Sequence, residues 1–234
     1  MKLIKNLVNG IENLIFPSSI YCVCCGNIID ETRTYSLCDH CMEHIIWLNE
    51  KASIKSDQYN FSYLDKVFSC CQYGLYPRTM VFSLKYNGKT YIARILGRIM
   101  ADKLNLTEEK FDLVVPVPMF KKKEKRRGFN QAALIGKYLG RETGIKHIAD
   151  CLIRVSDTPP MRGLGPIERK ENVKNMFIIS SKWVKILKDK NVLLVDDIFT
   201  TGATASECAR VLREAGARTV SFIAFASGND ELNK

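Results

Sequence analysis

The chain has 234 residues, 46% of them apolar, and a net charge of +10. That length suits one ordinary domain plus a small module, and that apolar share is enough for a real core. The charge points to anionic partners, nucleic acid or phosphorylated small molecules, without choosing between them, and a solvated basic surface accounts for part of it. No run is apolar enough for a membrane span or a secretory signal peptide.

Residues 3–16 place Leu3, Ile4, Leu7, Val8, Ile11, Leu14 and Ile15 at helical spacing, interrupted by polar residues and Gly10. This predicts a short amphipathic helix docked on the body, with membrane-surface binding as the alternative. Without an export signal, the nine cysteines belong to a reducing cytoplasm. The location expected is therefore cytoplasmic, with contact at the inner face of the membrane as the alternative.

Cys22-x2-Cys25-Gly26 and Cys38-x2-Cys41 form two knuckles twelve residues apart. Brought face to face, such turns offer four thiolates to a tetrahedral Zn2+, and Gly26 eases the first turn. With no open coordination position the metal would be structural. Cys24 competes with Cys25 in this pattern, and His40 lies inside the second knuckle. Cys70, Cys71, Cys151 and Cys208 lie in apolar surroundings and read as buried small hydrophobes.

Lys51–Asn60 is polar and reads as a linker, dividing the chain into residues 1–60 and 61–234. Leu64–Tyr76 predicts one or two strands. Ser83-Leu84-Lys85-Tyr86-Asn87-Gly88-Lys89-Thr90 ends like a Walker A loop, but Ser83 stands where that loop needs its first glycine. Asn87-Gly88 instead reads as a turn before a helix at Tyr91–Leu104, with Ile92, Ile95, Leu96, Ile99 and Met100 on one side.

Phe111–Val117 predicts a buried strand ending in Pro116-Val117-Pro118. Lys121, Lys122, Lys123, Lys125, Arg126 and Arg127 follow as a basic loop, six cations in seven residues, before a helical run at Ala132–Arg141. A charge block is usually a solvated face. At a strand end it can also neutralise a pyrophosphate or follow a nucleic-acid backbone. From Leu152 to Phe177 no periodicity is visible, which predicts a long irregular connection of the kind that often forms a lid. Trp183–Leu187 looks helical, and Thr219–Ala226 reads as a last strand before a polar tail.

Between them lies Val192–Thr204, V-L-L-V-D-D-I-F-T-T-G-A-T. Val192–Val195 predicts a strand buried on both faces, ended by Asp196 and Asp197. Thr200, Thr201, Gly202, Ala203 and Thr204 then turn into a helical segment marked by Ala205, Cys208, Ala209 and Leu212. Such a turn leaves backbone N–H groups free to hold a phosphate. The carboxylates can accept from sugar hydroxyls or help hold Mg2+. An ordinary strand with a capped helix is the plainer reading of the same residues.

This run resembles the phosphoribosyl-pyrophosphate motif of type I phosphoribosyltransferases. Together, the Cys22–Cys41 knuckles, Pro116-Val117-Pro118, Arg127-Gly128-Phe129-Asn130-Gln131, Arg169-x2-Asn172-Val173-x3-Phe177 and Val192–Thr204 resemble the ComF family over nearly the whole chain. The resemblance implies an α/β fold, a mostly parallel sheet with flanking helices, plus a small N-terminal zinc ribbon. It implies that Asp196 and Asp197 meet the ribose hydroxyls with Mg2+ and that Thr200–Thr204 hold the 5-phosphate. The loop from Pro118 would serve pyrophosphate, and Arg154–Asn175 would be a hood. One departure is Met161, where many members carry glutamine, an amide that methionine cannot replace in hydrogen bonding.

If the chain is catalytic, the resemblance implies displacement at the sugar C1 with pyrophosphate leaving, a reaction that needs positioning and charge stabilisation more than a nucleophile. No stretch identifies an acceptor, and no catalytic residue is assigned. The competing reading is a module that binds phosphoribosyl pyrophosphate and single-stranded DNA in natural competence, alongside a helicase-like partner.

Overall fold

The computed structural model describes residues 20–48, 53–55, 63–156 and 174–228. The helix expected at residues 3–16, the boundary expected at residue 60, and Met161, Arg169 and Asn172 lie outside the described residues.

Eight described strands are β1 (Ser53–Lys55), β2 (Lys66–Gln72), β3 (Leu113–Pro116), β4 (Lys146–His147), β5 (Leu152–Arg154), β6 (Phe177–Ile179), β7 (Asn191–Phe199) and β8 (Thr219–Ser227). Six form one sheet in the order β1-β2-β8-β7-β3-β4, parallel throughout except for β1 at its edge. The described α-helices are α1 (Asp39–His44), α2 (Leu75–Tyr86), α3 (Ile92–Asn105), α4 (Lys121–Arg127), α5 (Gln131–Thr143), α6 (Val184–Leu187) and α7 (Ala203–Glu214).

Side chains alternate across a strand, so a strand covered on both faces must be apolar at every position. β7 obeys this rule. Val192 and Leu194 join Leu113, Val115 and Phe222 in one core layer, while Leu193 and Val195 join Val114, Ile223 and Phe225 in the other. The chain leaves β3 through α4 and α5 to β4 on one side, and leaves β7 through α7 to β8 on the other. The connections therefore diverge between β3 and β7, and the crevice at their C-terminal ends is where an open α/β sheet binds ligands.

Three expectations change. The strand expected over Leu64–Tyr76 stops at Gln72, and Gly74 precedes α2. Pro77 suits the first turn of that helix because no intrahelical partner awaits its missing N–H. Met80, Val81 and Leu84 then bury one face. The acidic pair does not end β7, because Ile198 still pairs with Ala226 and Phe199 with Ser227. The irregular connection begins and ends in order, since β5 and β6 pair antiparallel and Val155 N–H donates to the Met176 carbonyl at 2.9 Å.

The cysteine module packs directly on the body. Trp47 bridges to Cys71, Leu48 N–H donates to the Cys70 carbonyl at 3.0 Å, and Cys22, Val23, Leu37, Cys41 and Ile45 share a core layer with α3. Within the stretch read as a linker, β1 adds a strand to the sheet. Among the described residues no helix is long and apolar enough to cross a membrane.

Helices α3 and α5 meet at Gly97, where a Cβ would lie 2.8 Å from Tyr138 Cβ and 2.9 Å from the Leu139 backbone nitrogen. Gly97→Ala gains about 1 kcal/mol in helix propensity. Overpacking against backbone costs about 1–3 kcal/mol, so a net loss is expected. A lowered urea midpoint checks this; an unchanged or raised one would mean that the two helices are not in such close contact.

Candidate functional site

The end of β7 builds one wall of the crevice. Thr200 and Thr201 leave the strand, Gly202 turns with φ +72°, and α7 begins at Ala203. The first N–H groups of a helix have no intrahelical partner, and here they follow a turn carrying Thr200 and Thr201, with Thr204 in the first turn of the helix itself. Thr200–Thr204, Asp196 and Asp197 line a cavity of about 330 Å³ together with Lys85 and Gln131. All seven residues expected to bind the sugar phosphate are thus brought together.

The two carboxylates are in different states. Asp197 is only 3% exposed, paired with the Lys85 ammonium and 3.5 Å from the Gln131 amide nitrogen. Burial works against its charge, but Lys85 and the hydrogen bonds hold its carboxyl below the usual carboxylate range. Asp196 faces the cavity, partly exposed, and accepts from the Asp197 N–H at 2.8 Å. Burial and the charge of Asp197 beside it push its carboxyl well up.

An oxygen donor set of this kind fits ribose hydroxyls directly. It fits Mg2+ in the way that ion is usually held, by one or two carboxylates plus substrate phosphates. Lys85 occupies the Asp197 oxygen that such a ligand would want.

The second wall starts at β3. Pro118 is buried, and Met119 beside it lines a second cavity of about 480 Å³. Lys85, Lys123, Arg126, Arg127 and Arg154 also line it, five cations with no carboxylate among the lining residues. The basic loop is in fact a helix, α4, closed by Gly128 at φ +92°. Lysine, arginine and glutamate are good helix formers, and three cations in the last turn complement the helix dipole.

Helical spacing sorts the six cations. Lys123, Arg126 and Arg127 line the cavity, whereas Lys121, Lys122 and Lys125 are exposed and do not. Asn130 then fixes the joint. Its amide donates to the Val117 carbonyl at 3.0 Å, and its side-chain oxygen accepts from Ala132 N–H at 3.0 Å as the cap of α5. Arg127 donates to Gln131 and lies 5.3 Å from the Tyr86 ring centre. A chain of contacts therefore runs Arg127–Gln131–Asp197–Lys85 across the crevice.

Sequence reasoning missed Lys85, Tyr86 and Gln131 as site residues. The available signal was Pro77 followed by Met80, Val81 and Leu84 at helical spacing, which would have placed Lys85 and Tyr86 on the last turn of a helix.

The thiols of Cys22, Cys25, Cys38 and Cys41 all lie within 4.8 Å of one another, and Cys25 and Cys38 are 3.6 Å apart. Tetrahedral Zn–S bonds of about 2.3 Å need sulfur separations of roughly 3.8 Å, so these four fit Zn2+ with a small contraction. Gly26 turns with φ +79°, its N–H reaching the Cys22 carbonyl at 2.9 Å, and Cys38 caps α1. Cys24 turns away, 3.5 Å from the Tyr76 carbonyl, and burial pushes its thiol up to about 11. His40 is also turned aside, 3.0 Å from the Tyr76 hydroxyl. Cys70, Cys71, Cys151 and Cys208 are buried in the core as expected.

Known proteins resemble this chain in the same terms. A model of the phosphoribosyl transferase domain matches residues 166–234. Competence protein F of Haemophilus influenzae is 30% identical over 150 residues, covering 60% of this chain and 63% of that protein. DNA utilization protein YhgH of Salmonella typhimurium is 30% identical over 146 residues, with 60% and 63% covered. Competence protein ComFC of Bacillus subtilis is 34% identical over 113 residues, with 46% and 41% covered. The chain thus spans less than two thirds of the length of these relatives. Adenine phosphoribosyltransferase from Leishmania donovani overlaps 87% of this chain and 83% of its own, at 14% identity and a TM-score of 0.41. Over the matched stretches the chain is thus similar to Competence protein F and Competence protein ComFC, and its residues 166–234 match the phosphoribosyl transferase domain.

Protein purified without added metal should carry about one Zn2+ per chain by elemental analysis. Cys24→Ser should retain it, and Cys38→Ser should lose most of it. Metal near zero in protein never exposed to chelators sinks the zinc assignment.

Proposed function

We propose that this ComF homologue binds phosphoribosyl pyrophosphate with Mg2+ in the crevice between β3 and β7, in the service of single-stranded DNA uptake or use. The observation that carries the reading is the adjacency of two unlike cavities. One joins a hydroxyl-rich turn at a helix N-terminus to two carboxylates, the other is lined by cations, and Lys85 and Gln131 belong to both. A sugar that carries a phosphate at one end and a diphosphate at the other has matching chemistry.

On this reading the turn Thr200–Thr204 holds the 5-phosphate through backbone N–H groups, aided by the dipole of α7. Asp196 and Asp197 accept from the ribose hydroxyls and help hold Mg2+, which would neutralise diphosphate charge. Lys123, Arg126 and Arg127 meet the pyrophosphate as charge-assisted donors. The alternative that keeps the same site is an active phosphoribosyltransferase with a nucleobase or amine acceptor.

The DNA part of the proposal rests on the names of the relatives and on one feature of α4. Lys121, Lys122 and Lys125 face solvent rather than the cavity, so they remain available to phosphates of a strand passing outside it.

Calorimetry with Mg2+ present tests the site. The double variant Asp196→Asn and Asp197→Asn keeps side-chain size but loses the charged acceptors. Hydrogen bonds to charged groups contribute about 1.5–3 kcal/mol each, so phosphoribosyl pyrophosphate should bind at least about tenfold more weakly. Wild-type affinity in that variant would refute the site. A variant with Lys121, Lys122 and Lys125 all changed to Gln tests the DNA face. Its log–log salt slope for single strands should flatten by about 2, at roughly 0.7 per phosphate contact, while phosphoribosyl pyrophosphate affinity stays unchanged. Wild-type slope and affinity for DNA would remove the outward face of this helix from DNA contact.

A further inference from the structure

Lys85 is the least expected member of the site. It sits on the last turn of α2, before the Asn87-Gly88 turn, and its side chain is only 18% exposed. Its ammonium is paired with Asp197, whose side chain is 4% exposed, yet Lys85 also lines the cationic cavity beside Lys123, Arg126 and Arg127. Lys85 therefore stands at the wall between an acidic compartment and a basic one, and touches both.

A buried carboxylate left without a partner is strongly destabilising, so an unliganded protein needs Lys85 where it is. A ligand that brings Mg2+ and hydroxyl donors to Asp197 changes that requirement. The carboxylate acquires new partners, and the ammonium becomes the group in need of an anion. The nearest place where one can arrive is the neighbouring cavity, which holds only cations among its charged lining residues.

We propose that Lys85 is an exchangeable cation: Asp197 holds it in the unliganded protein, and the diphosphate of the substrate takes it over once Asp197 engages ribose and Mg2+. This rests on the crevice being a phosphoribosyl-pyrophosphate site. Lys85 is then a diphosphate-binding residue kept neutralised until the sugar end is in place.

The proposal separates from a purely structural ion pair by the behaviour of inorganic pyrophosphate without metal. In the wild type, pyrophosphate competes with Asp197 for the ammonium. Asp197→Asn releases Lys85, so metal-free pyrophosphate should bind about tenfold tighter to that variant, although Mg2+–phosphoribosyl pyrophosphate binds more weakly. Lys85→Met should bind pyrophosphate about tenfold more weakly than wild type. Lys85→Met leaves a buried charge unpaired and can fail to fold, so the decisive protein is the double variant with Lys85→Met and Asp197→Asn, which has no unpaired charge. In it the gain from Asp197→Asn should vanish.

Pyrophosphate affinity unchanged by Asp197→Asn, or the same gain with Lys85 absent, overturns the exchange even where wild type binds Mg2+–phosphoribosyl pyrophosphate well. A wild type that binds neither phosphoribosyl pyrophosphate nor pyrophosphate overturns the site itself, and the exchange with it.

Discussion

A carboxylate 3% exposed near the end of a buried parallel strand must have its charge answered from nearby, and much of this protein's crevice is the answer to Asp197. Lys85 comes from α2, Gln131 from α5, and both are presented by helices that cover the same face of the sheet. Gln131 is in turn held by Arg127 at the end of the basic helix. Asn130 ties that joint to β3 by bonding the Val117 carbonyl and capping α5. One buried charge thus links the two strands whose connections diverge.

The same logic extends to the cysteine module. Residues Cys22 to Ile45 are too few to build a core of their own. They combine a thiol cluster suited to a metal with direct burial against α3, and Tyr35 donates to Asp102 on that helix at 2.8 Å. α3 also packs on α5 through Gly97. The module therefore leans on the helices that cover the face of the sheet from which Lys85 and Gln131 reach Asp197.

What was legible in the sequence follows from how local each signal is. β7 was readable because burial on both faces requires four consecutive apolar residues, and the turn after it because glycine and hydroxyls stand together. The thiol cluster was readable because ligand spacing within a knuckle is fixed by short-range geometry. Two things were not readable. Helix α4 is seven residues of nearly uniform charge, so no apolar stripe marks its period, and only the structure divides its cations into inward and outward sets. Lys85 lies 112 positions before Asp197 in the chain (197 − 85), and their pairing exists only through the packing of α2 on the sheet.

Charge placement also bears on selectivity. In the crevice, cations and carboxylates compensate one another across the boundary between the two cavities. A free phosphate offers an anion to the basic side but nothing to Asp197. A sugar without diphosphate offers donors to the carboxylates but leaves Lys85 without a new partner. Either ligand alone must separate the Lys85–Asp197 pair without replacing both halves, and an unreplaced half carries the cost of a buried charge. A ligand that brings hydroxyls, a metal and a diphosphate on one frame replaces both halves together. On the proposed reading of the crevice, an ion pair at the join would therefore favour the composite ligand over its fragments, without any contact that reads the composite as a whole.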